Sequence, residues 1–422
     1  MESKNKLLTG QAVILAAGES SRFWPLNKGH KCQINILGKS LVSWTIQELE
    51  RAGIKDIVLV TGSGSPLIDE FPQLDQVVQE KPLGTGNALS LAKPFIKEPF
   101  FVLWPYKIDA FSLVEQMRAM AEQDKAEVVL MGAETAAPWE YGVLRMENNK
   151  VMEIVENPAK GQEPSNIKLV GSLLLPPDFF DYYQKLGNYH PEDFIDALNL
   201  CIKDKATGLI VLEKERSVLK YPWHLLGMVA LAFESEEFKP FLSATAKIGK
   251  NVVMEGDVFI GKDVVIGNNT VIKGPCYIGD NCKIGASNVL RGPVDLENNV
   301  LTGALMEIKN SLIQEGTHLH SGYVGDSVIG RNCRFGAGFV TANRRIDRVN
   351  IKADVKGNKI DTSLTYLGAM IGDNVRFGIH CGTMPGVLIG KDCLVGPGTI
   401  VFENLEDNAN LYTKFENIKK GV

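Results

Sequence analysis

Two groups of residues in this chain have the types and spacing to do chemistry. The first is Leu15-Ala16-Ala17-Gly18-Glu19-Ser20-Ser21-Arg22, with Lys31 nine residues after Arg22. A loop of small residues exposes backbone N–H groups to a polyphosphate, and the arginine and lysine supply charge-assisted hydrogen bonds. The second group reads His318-Leu319-His320-Ser321-Gly322-Tyr323-Val324-Gly325-Asp326. It is followed by Phe335-Gly336-Ala337-Gly338 and Thr341-Ala342-Asn343-Arg344, with Arg291 and Lys309 upstream. A histidine of near-neutral pKa is the usual base for an attacking nitrogen that must lose a proton. Seven cysteines form an odd set without CxxC spacing. That speaks against a disulfide framework or a cysteine zinc site, and for a reducing cytoplasm.

Different elements must position the two groups. Residues 1–240 alternate strand and helix patterns. Ala12–Ala16, Ile57–Val60, Phe100–Trp104 and Glu127–Met131 read as buried strands; Leu41–Ala52 and Leu113–Met120 read as helices. Such alternation predicts a parallel or mixed α/β sheet of Rossmann-like kind, with ligands beyond the carboxyl ends of its strands. From residue 241 to residue 422 the pattern changes. An aliphatic or aromatic residue followed by glycine recurs at Ile248, Ile260, Ile266, Ile278, Ile284, Ile329, Phe335, Ile371, Phe377, Ile389 and Val395, in steps of 6 or 12 within each block. A hexapeptide period predicts a three-sided parallel β-helix, with the apolar residue inward and glycine at the corner. Of 41 glycines, 24 fall between 241 and 400. Three positions after many of these glycines stand Val252, Val264, Thr270, Cys282, Cys333, Cys381 and Cys393, so most cysteines read as small interior fillers. The period breaks at 290–328 and at 342–366, and insertions in a solenoid commonly fall on its binding face.

The net charge of −5 on 422 residues gives no general basic footprint for nucleic acid. No apolar run approaches the ~18 residues of a membrane-spanning helix. The start, Lys4 and Lys6 followed by Leu7–Gly18, imitates a signal peptide; the rival reading is a first buried strand running into the phosphate loop.

The first part of the chain, nearly as far as Ala230, resembles the sugar-phosphate nucleotidylyltransferases, which join a nucleoside triphosphate to a sugar 1-phosphate. Besides the phosphate loop, Gln79-Glu80-Lys81-Pro82-Leu83-Gly84-Thr85 matches the segment that reads the base, and Tyr141-Gly142-Val143 with Val155-Glu156-Asn157-Pro158 matches the sugar-binding stretch. The resemblance implies that Leu15, Ala16, Ala17, Gly18, Arg22, Lys31, Gln79, Gly84 and Thr85 bind nucleotide and that Gly142 and Glu156 bind sugar. It also implies a Mg²⁺ ion between two aspartates. Here Gly-Asp has become Pro105-Tyr106, and the second aspartate has become His224 in Pro222-Trp223-His224-Leu225-Leu226. A proline expected before the loop lysine is His30. Asp109 is the nearest replacement carboxylate, or else a helix N-cap.

The second half resembles the acetyltransferase part of bifunctional UDP-N-acetylglucosamine pyrophosphorylase/glucosamine-1-phosphate N-acetyltransferases and their archaeal relatives, which implies a left-handed β-helix. The carrying motifs are His320-x-x-Tyr323-aliphatic-Gly325-Asp326, Gly336-Ala337-Gly338 with Asn343, and the spacing of Arg291 and Lys309. By this resemblance His320 is the catalytic base and Tyr323 holds the acceptor. Arg291 and Lys309 hold the sugar phosphate, helped by Lys352. Ala337, Asn343, Arg344 and Ala369 line the path of acetyl-CoA. His318 and His380 read as structural. Arg344 stands where bacterial relatives carry an aromatic residue, and one residue is missing between Lys309 and His320. Expected partners are a nucleoside triphosphate or sugar nucleotide and a sugar 1-phosphate, in a homotrimer built through the β-helix. Two alternatives remain: an acetyltransferase whose first domain only binds a nucleotide or regulates, and a nucleotidylyltransferase whose β-helix serves assembly.

Overall fold

The computed structural model describes residues 10–18, 20–26, 29–148, 150–187, 190 and 192–416. Lys4, Lys6 and Leu7 of the signal-like start, and Glu19 of the phosphate loop, lie outside the described residues. Among the described residues no helix is long and apolar enough to cross a membrane. The chain forms two compact units. One contains the residues up to 19 with Leu41–Ser217; the other contains Ser20–Ser40 with Val218–Val422.

In the first unit a mixed sheet runs in the order Thr207–Leu212, Val128–Glu134, Ile167–Leu175, Phe100–Leu103, Gln11–Ala16, Asp56–Gly62, Asp75–Gln79. Gln11–Ala16 lies parallel to both its neighbours. Ile167–Leu175 runs antiparallel between two strands of the parallel set. Helices Leu41–Arg51 and Ala110–Asp124 pack on each other over one face, while Phe179–Lys185 and Asp193–Asp204 join the apolar cluster with Val13, Phe100 and Val102 on the other. Val13, Phe100, Phe101, Val102 and Leu130 are fully buried. Burial on both faces explains why these strands read as continuous apolar runs rather than as alternation.

The second unit is a left-handed parallel β-helix of hexapeptide coils. In regular coils each residue pairs with the one three hexapeptides on, as Val253 with Val271 and Val265 with Lys283. Its interior is a single column of Ile, Val, Leu and Cys side chains joined by Phe335, Phe339 and Phe377. All seven cysteines are buried free thiols. Burial pushes the thiols of Cys276, Cys282 and Cys333 up to about 12.

The glycine of each hexapeptide works differently from its expected corner role. A Cβ on Gly267 would lie 2.5 Å from the Ala286 nitrogen of the next coil. Glycine is therefore there to let coils approach. The left-handed backbone falls two residues later, at Asn251, Asp263, Asn269, Asn281, Asn332, Asn374 and Asp392, residue types that tolerate it. His380 takes one such position, with φ 52°.

The two breaks in the period have different causes. Across 290–328 the coil continues through the parallel strands Val289–Leu296 and Met306–Ile313. Coils there fall just short of three hexapeptides. Glu307 pairs with Tyr323 and Leu301 with His318, which breaks the period without breaking the helix. The second break is a true insertion. Arg334 and Arg376 are direct register partners although far more than one coil of sequence separates them. The added chain carries a hairpin of Lys352–Val355 with Asn358–Asp361.

Segment Ser20–Ser40 and helix His224–Glu234 join the second unit, inside what the sequence pattern gives to residues 1–240. The helix packs on strands Val289–Leu296 and Met306–Ile313. Trp24 Nε1 donates to Asp407 Oδ1 at 2.9 Å, and Gln314 Nε2 donates to the Asn35 carbonyl at 2.9 Å. The N–H groups of Leu37 and Gly38 donate to the buried carboxylates of Asp295 (2.8 Å) and Glu297 (2.9 Å). Burial and mutual repulsion push Asp295 upward, and burial pushes Glu297 upward.

Candidate functional site

The β-helix ladder explains how distant residues of the second group meet. One coil separates Arg291 from Lys309, so their spacing makes them register neighbours, with Gly325 next in the row. Glu307, Tyr323 and Val340 form the parallel row. Arg291 pairs with Glu307. A Cβ at Gly325 would lie 2.6 Å from Cζ of Tyr323, so glycine gives the ring its place. Asp326, buried and in the left-handed region at φ 50°, is the hub. Its carboxylate accepts from Asn310 Nδ2 (2.7 Å), Asn343 Nδ2 (2.5 Å) and Lys309 Nζ (3.3 Å). The Asn343 amide also donates to Tyr323 Oη at 2.9 Å, which leaves the Tyr323 hydroxyl its own proton to give. Burial, then Asp326 and Glu307, push the Tyr323 pKa upward, so this donor stays protonated.

His320 lies on the turn between strands His318–Leu319 and Gly322–Gly325. Its backbone N–H is fixed by the Phe335 carbonyl at 3.1 Å. Its ring is exposed and without a hydrogen-bond partner among the described residues. Burial and Arg334 lower the pKa of His318, which keeps that ring neutral. Arg344 is exposed, and Lys352 is exposed at the start of the hairpin. The Ala337 carbonyl accepts the His380 N–H at 2.7 Å. Ala369 is fully buried; its N–H donates to Ser327 Oγ at 3.1 Å and its carbonyl accepts from Val328. Ala369 thus stands in the wall behind the network.

In the first unit, a cavity of about 430 Å³ opens beyond the strand ends. Thr85, Trp104, Gly142 and three carboxylates, Glu140, Glu156 and Glu192, line it. Gly171 is a glycine because a Cβ would strike the Trp104 ring at 2.8 Å. Burial and then Glu192 push the Glu156 carboxyl upward. Leu15 and Ala16 end the first strand, and Ala17 and Gly18 follow it. A Cβ on Gly18 would meet nothing within 4 Å. Nothing described in the folded chain demands glycine there, whereas a closely approaching ligand would. Gln79 is buried, with its Nε2 donating to the Gly84 carbonyl (3.0 Å) and Asn87 Oδ1 (2.9 Å). Its amide N–H groups thus hold the loop that ends at Gly84, whose φ of 101° requires glycine before helix Thr85–Ser90.

In the second unit Arg22 is exposed, and Lys31 Nζ donates to the Leu219 carbonyl at 2.7 Å. Desolvation lowers Lys31 to about 8. His224 Nδ1 accepts the Lys220 N–H at 3.1 Å, and its ring packs edge-on to Tyr221 and Trp223. Back in the first unit, Asp109 opens helix Ala110–Asp124 but makes no side-chain cap; its carboxylate accepts from Ser217 Oγ instead. Burial and Glu215 push the Tyr106 pKa far upward. Beside it Lys107, 1% exposed, is held by Glu215 at 2.9 Å and the Ser217 carbonyl at 3.0 Å. Lys168 meets the other oxygen of Glu215 at 2.6 Å.

A nucleotidyl transferase family model matches residues 11–216. A bacterial transferase hexapeptide model matches 257–292, and a hexapeptide repeat of succinyl-transferase matches 368–403. A bifunctional protein GlmU from Methanococcus maripaludis is 38% identical over 421 residues, 96% of this chain and 98% of that relative. A bifunctional sugar-1-phosphate nucleotidylyltransferase/acetyltransferase from Sulfurisphaera tokodaii is 32% identical over 405 residues, 93% and 97% of the two chains. This chain belongs to that bifunctional transferase family.

Membership makes a magnesium site the expectation, and the residues present do not fit one. Mg²⁺ takes hard oxygen ligands in near-octahedral order. Tyr106 offers a neutral phenol, Asp109 is committed to Ser217, and His224 has Nδ1 engaged by the backbone. Among the described residues no three His, Cys, Asp or Glu side chains are placed to hold a metal. The replaced donors concern nucleotidyl transfer alone: Tyr106 and Asp109 stand in the first unit and His224 in the second. Asp326 lies inside the His320–Asp326 motif, but its role has no signal there because it depends on Asn310 and Asn343 from other coils. Trp104, Glu140 and Glu192 carried no sequence signal for a site; strand, turn and helix ends far apart in sequence bring them to one cavity.

Proposed function

We propose that this chain transfers the acetyl group of acetyl-CoA to the amine of an amino-sugar 1-phosphate on its β-helix, and binds a nucleotide or sugar nucleotide in its first unit. The observation that carries the reading is the network Lys309–Asp326–Asn343–Tyr323, three residues along from an exposed His320. His320 takes a proton as the amine nitrogen bonds to the thioester carbonyl carbon. The carbon–sulfur bond breaks, and the proton passes to the departing thiolate. Tyr323 donates to the acceptor, and Arg291 and Lys309 face its phosphate with Lys352 nearby in role. Asn343, Arg344 and the Ala337 segment receive the coenzyme. Ala369, fully buried with both backbone groups paired, supports that wall instead.

The carboxylate-lined cavity with Glu156 and Gly142 suits the hydroxyl groups of a sugar. Gly18, Gln79, Gly84 and Thr85 take the nucleotide in the first unit, and the family resemblance adds Arg22 and Lys31 as phosphate-binding candidates. The residues do not fit the metal that nucleotidyl transfer needs, which favours a first unit that binds without turning over. Exposed Val340 and Ile400, in one ladder row through Gly382, support assembly as a homotrimer. Seven free thiols support a cytoplasmic location. Two assays on one preparation test the reading. Acetyl-CoA with glucosamine 1-phosphate is expected to release thiol. UTP or dTTP with sugar 1-phosphates and Mg²⁺ is expected to release little pyrophosphate. The reverse pattern overturns it.

A further inference from the structure

Two cations of the proposed acetyl-transfer site, from separate stretches of chain, converge on one exposed aromatic ring. Lys309 Nζ and Arg344 Cζ each lie 4.7 Å from the ring centroid of Tyr366. Tyr366 sits at the neck of the 342–366 insertion. The Leu367 N–H donates to the Asn343 carbonyl at 2.9 Å, which sets the Tyr366–Leu367 peptide beside the Asn343–Arg344 peptide. Tyr366 as a residue is 41% exposed, too open to be core packing. The neck is closed by other groups: Leu367 is fully buried, and Thr362 Oγ1 donates to the Ile351 carbonyl at 2.7 Å. Lys309 also meets Asp326, whereas Arg344 has no carboxylate partner among the described residues.

An aromatic face attracts cations through its quadrupole without neutralising them, unlike a carboxylate. Arg344 held this way keeps its full charge toward an incoming anion, and the ring adds to the Asp326 contact in fixing where the Lys309 ammonium stands. We propose that Tyr366 is a positioning residue that sets Lys309 toward the acceptor's phosphate and Arg344 toward the phosphates of the coenzyme. The proposal rests on the acetyl-transfer reading and adds a residue coupling its two substrates through one ring.

The test uses the full chain with Tyr366→Phe, Tyr366→Leu and Tyr366→Gln. Coenzyme A binding is measured by calorimetry, and KM and kcat are measured with acetyl-CoA and glucosamine 1-phosphate. Loss of the ring face in Leu and Gln is expected to weaken coenzyme A binding and to raise both KM values by about tenfold, with kcat within about threefold. Phe retains the quadrupole and is expected to behave as wild type, which a hydroxyl role does not predict. Unchanged coenzyme affinity in both Leu and Gln, or a Phe variant as weak as Leu, overturns the proposal. Wild-type protein that neither binds coenzyme A nor releases thiol removes the underlying reading instead, so the two failures are told apart.

Discussion

Asp326 illustrates how much one residue organises. It joins Asn310, Asn343 and Lys309, and Asn343 in turn reaches Tyr323. Asp326→Ala leaves buried donors unpaired and lets Lys309 drift, so thiol release is expected to fall at least tenfold, mostly through the KM for the acceptor. Gly325→Val pushes a side chain into the Tyr323 ring and is expected to raise the same KM while leaving coenzyme A binding intact. In the other group Lys31 titrates near 8 because burial disfavours its charge. A phosphate needs the charged form, so nucleotide affinity measured by calorimetry is expected to weaken as pH rises through 8 toward 9. A flat profile contradicts a role for Lys31. That His320, Tyr323, Arg291 and Lys309 stand outside the needs of a hexapeptide repeat was readable in the sequence, and the 18-residue step from Arg291 to Lys309 already made them register neighbours. Asp326, Glu307 and Tyr366 were not assigned roles, since each acts through partners one or more coils away.

At the scale of elements, the coil is the unit of stability. Ile308 is fully buried between coils at the shortened stretch. Ile308→Ala is expected to cost about 2–5 kcal/mol, read as a lower midpoint in denaturant unfolding. The Asp295–Glu297 pair makes a pH prediction of definite sign. Their folded pKa values lie above the ordinary carboxylate values, so the stability they allow is present at low pH and is lost as pH rises through the raised values. Asp295→Asn keeps an oxygen for the Leu37 N–H and is expected to raise Tm at pH 8 more than at pH 5. The period of 6 showed the β-helix plainly, but it also made 290–328 look like an insertion. A coil shortened by one or two residues breaks a sequence period while leaving the ladder whole. The glycines were similarly legible in number but not in job: neighbouring coils exclude their Cβ, and asparagine turns the corner.

At the scale of the whole molecule, one chain carries two ligand-handling units of unequal chemical condition. The alternation of strand and helix showed the first fold. Composition gave no warning that Ser20–Ser40 belongs with the second unit, because side-chain hydrogen bonds such as Trp24 with Asp407 span nearly the whole sequence. Sedimentation is expected to give a species three times the 46.3 kDa chain mass. The family implies two activities, and the side chains of Tyr106, Asp109 and His224 do not fit the magnesium ion that nucleotidyl transfer uses.

The acetyl-transfer claim stands or falls on His320. The decisive measurement is the rate of free thiol release from acetyl-CoA with glucosamine 1-phosphate, compared between wild type and His320→Ala at matched folding and saturating substrates. Loss of the base is expected to lower kcat by about a hundredfold or more while coenzyme A still binds. A His320→Ala protein that releases thiol at the wild-type rate would contradict the account.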